Sequence, residues 1–123
     1  MAKRILVAED DLDNRRIVVK VLSACGYETI EATDGNAAVS LARSEHPDLV
    51  IMDLAMPGVD GWEASRRLKA DAQTADIPII ALTAHAMRGD EERAREAGCD
   101  GYLPKPCRPE TLRETVRRFL HER

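Results

Sequence analysis

Short apolar runs alternate with amphipathic stretches from one end of the chain to the other, and this alternation most narrows the folds open to it. The runs are Ile5-Leu6-Val7-Ala8, Thr29-Ile30-Glu31-Ala32, Leu49-Val50-Ile51-Met52, Ile77-Pro78-Ile79-Ile80-Ala81-Leu82 and Gly101-Tyr102-Leu103. Length favours strand over helix for all of them. The first, third and fourth are continuously apolar, the mark of a strand covered on both faces. The second alternates, as an outer strand does.

Helical spacing fills the gaps. Ile17, Val18, Val21, Leu22 and Cys25 share one face of a first helix, and Gly26 follows as its C′ residue. Ala37, Ala38, Leu41 and Ala42 mark a second, with Asp34 as cap and an end before His46-Pro47. A third runs from about Gly61 to Lys69, with Ala64 and Leu68 inward. A fifth carries Leu112, Val116, Phe119 and Leu120, with Pro109 in its first turn. The fourth, Met87 to Ala97, has little to bury beyond Met87, Ala94 and Ala97. It is expected at the low-stability end of the structure. Strands alternating with helices imply βαβ units, right-handed crossovers and a parallel sheet with helices on both faces.

The 123 residues suit one domain, 1–123, and no linker or repeat divides them. The chain is 44% hydrophobic, 33% charged and only 3% aromatic, so an aliphatic core is expected. A net charge of −4 argues against nucleic acid as a direct partner. No apolar run approaches the ~20 residues of a membrane span, and Met1-Ala2-Lys3-Arg4 leads straight into a strand rather than a signal peptide. Cys25, Cys99 and Cys107 show no CxxC spacing and read as buried or half-buried free thiols in a reducing cytoplasm.

Folds of this class bind ligands beyond the carboxyl ends of the strands. Here those ends carry Glu9, Asp10 and Asp11, then Asp53, Thr83 and Lys105. Each alone is weak evidence. An Asp there is often a helix cap, and Asp11 or Asp13 suits that role. Together they make a coherent phosphoryl-transfer site. Crowded Glu9, Asp10 and Asp53 repel one another and favour a hard cation; Mg²⁺ fits because it takes carboxylates, waters and a phosphate oxygen. Ammonium and hydroxyl around Asp53 would stabilise charge on a transferring phosphoryl group. A carboxylate nucleophile is already ionised and needs no general base.

These residues resemble the receiver domains of bacterial two-component response regulators, most closely the single-domain members. The carrying segments are Glu9-Asp10, Asp53-Leu54-Ala55-Met56-Pro57-Gly58-Val59-Asp60-Gly61, Leu82-Thr83-Ala84-His85 and Tyr102-Leu103-Pro104-Lys105-Pro106. The resemblance implies a flavodoxin-like α/β fold, a five-stranded parallel sheet in order 2-1-3-4-5 with five helices. It implies Asp53 as phosphoacceptor, and Asp10, Glu9 (through water), Asp53 and the Ala55 carbonyl around Mg²⁺. It implies Thr83 and Lys105 on the phosphoryl group, Thr83 and Tyr102 as switch, and a cis Lys105-Pro106 bond. Ala55 and His85 would set the phosphoryl lifetime, though His85 also reads as a partly exposed loop residue.

The donor implied is a histidine kinase or a histidine phosphotransfer protein, docking on Asn14, Arg15, Val18 and Leu22 with Pro106, Cys107 and Arg108. Phosphorylation would reshape the face of helix four, strand five and helix five for a protein target, Tyr102 turning inward as Thr83 moves. The expected state is a monomer, with dimerisation on phosphorylation left open. Trp62 reads as a packing or surface residue at a helix start, and Arg113, Arg117 and Arg118 as serving helix stability and solubility. Other readings are a receiver cut from a hybrid kinase or longer regulator, an adaptor that has lost the chemistry, and an aspartyl-phosphate phosphatase or phosphotransferase. The haloacid-dehalogenase type of that last class wants an Asp where this chain has Ala55.

Overall fold

The computed structural model describes residues 2–56, 58–83, 90–105 and 108–121. Five strands, β1 (Arg4–Ala8), β2 (Glu28–Ala32), β3 (Leu49–Asp53), β4 (Ile79–Thr83) and β5 (Gly101–Pro104), alternate with five helices. These are α1 (Leu12–Ala24), α2 (Gly35–Glu45), α3 (Gly61–Ala70), α4 (Asp90–Glu96) and α5 (Pro109–His121). All strand pairs are parallel, as the alternation predicts, and the order is β2-β1-β3-β4-β5, as the resemblance implies. Every residue of β3 and β4 is buried, which explains why their sequences are continuously apolar.

Side-chain alternation splits the core in two. Ile5, Val7, Leu49, Ile51, Ile80, Leu82 and Leu103 face α1 and α5, where Val18, Leu22, Leu112, Val116 and Leu120 meet them. Leu6, Ala8, Val50, Met52, Ile79 and Ala81 face the other way, against Ala38, Val39 and Ala42 of α2, Ala64 and Leu68 of α3, and Ala94 of α4.

Local chemistry sets the helix ends. Asp11, Asp34 and Asp60 cap α1, α2 and α3, each accepting a backbone N–H three residues on. Gly26 and Gly98 take positive φ after α1 and α4. There Tyr27 N–H donates to the Leu22 carbonyl and Cys99 N–H to that of Ala94, the Schellman arrangement.

Some sequence expectations are corrected. Ile17 is not inward but 58% exposed, because the buried line of α1 runs through Val18 and Leu22. On α2 the buried line is Ala38, Val39 and Ala42, with Ala37 and Leu41 only partly covered. β4 starts at Ile79, with Ile77 and Pro78 buried ahead of it. Cys25 is exposed at the end of α1, while Cys99 is buried; Cys107 lies outside the described residues, as does Met87. Trp62 is half-buried and packs on the core, as expected, with the Arg93 guanidinium 4.5 Å from its ring centre. Among the described residues no helix is long and apolar enough to cross a membrane.

Candidate functional site

The register brings the chemical groups to one edge. Ala8 pairs with Met52, Asp53 with Leu82, and Thr83 with Pro104, so the carboxyl ends of β1, β3, β4 and β5 lie side by side. Glu9, Asp53, Thr83 and Lys105 therefore meet although they span most of the chain. One carboxylate oxygen from each of Glu9, Asp10 and Asp53 lies within 4.8 Å of the others.

Glu9 is wholly buried. Its N–H donates to the Ala32 carbonyl at 3.0 Å, which continues the β1–β2 ladder one residue. Its Oε2 accepts the Asp11 N–H at 3.3 Å, and its Oε1 accepts Lys105 Nζ at 3.0 Å. Asp53, also buried, accepts the Ala55 N–H on Oδ1 at 3.1 Å and faces Lys105 Nζ through Oδ2 at 3.0 Å. Lys105 thus bridges two buried carboxylates. Its own N–H donates to the Thr83 carbonyl at 2.6 Å, which ties the end of β5 to that of β4. Asp10 is exposed, and Thr83 is buried at its strand end.

Close carboxylates divide their protons unequally. Burial first, then hydrogen bonding to Asp53, pushes Glu9 up to about 7, against the pull of Lys105. Burial also opposes ionisation of Asp53. Hydrogen bonds from Glu9, the Ala55 N–H and Lys105 outweigh it, and Asp53 stays below the usual carboxylate range. Burial would drag the Lys105 ammonium down, but Glu9 and Asp53 hold it above its ordinary value. At neutral pH the site therefore presents an ionised Asp53, a cationic Lys105 and a Glu9 that readily exchanges its proton for a better cation. Oxygen donors, excess negative charge and an exposed Asp10 at the mouth are what Mg²⁺ requires, so the residues present fit that ion.

Two glycines shape this edge. A Cβ on Gly61 would lie 2.1 Å from the Asp53 carbonyl oxygen, and one on Gly35 would lie 1.9 Å from that of Val59. Gly61 lets the start of α3 press against the end of β3. The repeated Asp-Gly pairs, Asp34-Gly35 and Asp60-Gly61, were the available signal.

The Tyr102 ring already packs on the α4-side core, and its hydroxyl is buried. His85, Pro106 and with it the Lys105-Pro106 bond lie outside the described residues. Ala55 is exposed next to the acidic cluster. The expected donor-docking set is corrected: Val18 and Leu22 are core residues, and Arg15 is turned inward, with a side chain only 13% exposed. Sequence reasoning missed what Arg15 holds. The available clue was Glu31, a charge in β2 between Ile30 and Ala32.

The profile of the response regulator receiver domain family matches residues 5–117. The polar-differentiation response regulator DivK of Brucella ovis is 42% identical over 120 residues, covering 98% of each chain. The chemotaxis protein CheY4 of Vibrio cholerae superposes with a TM-score of 0.92 at 31% identity, over 98% of this chain and 100% of that one. The receiver domain of sensor histidine kinase PA1611 from Pseudomonas aeruginosa PAO1, solved with a magnesium ion coordinated in its active-site cleft, superposes at 0.91 with 34% identity, over 98% of each chain. With the sheet order and the strand-end acids in place, the chain belongs to the response regulator receiver domain family and serves two-component signalling.

Proposed function

We propose that residues 1–123 form a single receiver domain that takes a phosphoryl group onto Asp53 from a phosphohistidine donor. The observation that carries this reading is the buried Asp53 bridged by Lys105 to Glu9 at the end of β3. Asp53 Oδ attacks phosphorus, the P–N bond to imidazole breaks, and the leaving nitrogen keeps the electron pair, giving neutral imidazole whose other ring nitrogen carries the proton. Asp53 needs no base. Lys105 Nζ, already against Asp53, moves onto the transferred group, and the Thr83 hydroxyl donates to it. Glu9, Asp10, Asp53 and the Ala55 carbonyl would hold Mg²⁺. That ion supplies charge stabilisation on the phosphoryl oxygens.

The protein signals rather than turns over a substrate. Ala55 offers no acid/base group beside Asp53, so water attack on the acyl phosphate relies on what Ala55 and His85 admit. Output goes to a protein partner through α4, β5 and α5. The donor is a histidine kinase or phosphotransfer protein, and the exposed apolar residues of α1, Leu12 and Ile17, together with Asn14 and Arg108, replace Val18 and Leu22 as its docking candidates.

Intact mass after incubation with a small-molecule phosphodonor and Mg²⁺ tests the acceptor. One added phosphoryl group is expected in the wild type, and none in Asp53→Ala or with a chelator. An adduct that persists in Asp53→Ala would overturn the assignment.

A further inference from the structure

Arg15 lies in the second turn of α1, and its guanidinium faces inward. Nη1 donates to the Glu9 carbonyl at 3.0 Å, and Nε donates to Glu31 Oε1 of β2 at 2.8 Å. Glu31 stands in β2 beside Val7, two residues before Glu9. One planar fork therefore joins the end of β1, the start of α1 and the neighbouring strand.

The Glu9 carbonyl is half of the peptide that links Glu9 to Asp10. A peptide is planar, so pinning its oxygen fixes the plane from which both Cα atoms depart. The preceding peptide is held as well, because the Glu9 N–H donates to the Ala32 carbonyl. Beyond these contacts the chain turns outward, since Glu9 is buried and Asp10 exposed.

We infer that Arg15 is a positioning residue: it holds the Glu9–Asp10 peptide so that the two carboxylates converge with Asp53 on one divalent cation. The inference rests on the metal reading of the site given above. It is the role that outer partners of metal ligands play, and losing such a partner typically weakens metal binding ten- to a hundredfold.

The sign of the effect separates positioning from simple charge. Arg15 is a cation close to a cation site, and its removal leaves Glu31 unpaired. By Coulomb's law alone, Arg15→Met should bind the metal more tightly and Arg15→Lys should bind it unchanged. Positioning predicts the opposite. Both variants should bind more weakly, since a single ammonium cannot span the Glu9 carbonyl and the Glu31 carboxylate as the fork does.

The experiment is Mn²⁺ titration of the full chain, read by loss of the free-ion electron paramagnetic resonance signal, with Mg²⁺ competition and circular dichroism to confirm folding. Arg43→Met, which removes a distant ion pair with Asp71, is the control. The expected result is a dissociation constant about tenfold or more weaker for Arg15→Met and Arg15→Lys, with Arg43→Met unchanged. Equal or tighter binding in the Arg15 variants, or equal weakening in Arg43→Met, would overturn the positioning role while the metal site stands. Failure of the wild type to bind Mn²⁺ would remove the metal reading and this inference with it.

Discussion

Replacing Lys105 with Met keeps much of the side-chain volume and removes the charge between Glu9 and Asp53. Its Nζ sits 3.0 Å from an oxygen of each, so the loss leaves two buried carboxylates facing one another. Breaking a buried pair usually costs about 3–5 kcal/mol because a charge is left uncompensated. Here Glu9 can take up a proton instead. Its value of about 7 in the folded chain, against 4.5 for a free glutamate carboxyl, means that the folded state already holds a proton more readily than the unfolded one. Between those limits the wild type loses stability as pH rises, because the folded state binds more protons, and above about pH 7 this loss levels off. Lys105 is one of the groups that pull Glu9 down, so in Lys105→Met the Glu9 value climbs further and the loss continues past pH 7. At pH 6 the variant should differ from wild type only by its missing charged hydrogen bonds, about 1.5–3 kcal/mol for each. Above pH 7 the gap should widen by up to ~1.4 kcal/mol per pH unit until the new Glu9 value is passed. Urea unfolding of both chains at pH 6, 7 and 8 measures this. Adding Mg²⁺ at pH 8 should narrow the gap. A difference constant across the three pH values would show that Lys105 does not hold Glu9 in its charged form.

Gly61→Ala should destabilise the chain by about 3 kcal/mol or more in urea, because the new methyl collides with backbone rather than with a side chain that can move. Wild-type stability would mean that α3 does not press on β3 as described. Leu12→Asp with Ile17→Asp should leave stability within about 0.5 kcal/mol per site. It should slow transfer from a phosphohistidine donor while leaving the small-molecule phosphodonor reaction unchanged; equal slowing of both would place these residues outside donor docking. Amides 90–96 should exchange hydrogen well before those of β1, β3 and β4, since Ala94 is the buried side chain described within α4. Equal protection in α4 and the central strands would contradict that ranking.

The fold was legible because its signals are local. Runs such as Leu49-Val50-Ile51-Met52 and Ile79-Ile80-Ala81-Leu82 have no polar face, and only a strand covered on both sides accommodates that. Asp11, Asp34 and Gly26 announce helix ends through contacts no more than five residues long. The acids and Lys105 were legible for a topological reason. In a parallel sheet every strand ends at the same edge, so a chemical group after each strand implies a shared site before any distance is known.

What stayed hidden depends on contacts without a local signature. Ile17 and Val18 are both apolar neighbours on α1, and helical spacing alone admits either as the centre of the buried face. The position of α1 on the sheet decides, and it buries Val18 and leaves Ile17 out. Arg15 reads as an exposed docking residue beside Arg16 until β2 brings Glu31 across, sixteen residues away. Lys105 was expected to meet a phosphoryl group; that it meets Glu9 in the meantime, ninety-six residues away, follows from the pairing of β1 and β4 with β3 and of β5 with β4. A buried ammonium must have partners, and a buried pair of carboxylates must have a cation. Once the sheet order is known, each supplies what the other lacks. The bridge is thus a consequence of the topology and of the cost of burying charge, and under the proposed function it is the contact that a phosphoryl group on Asp53 would displace.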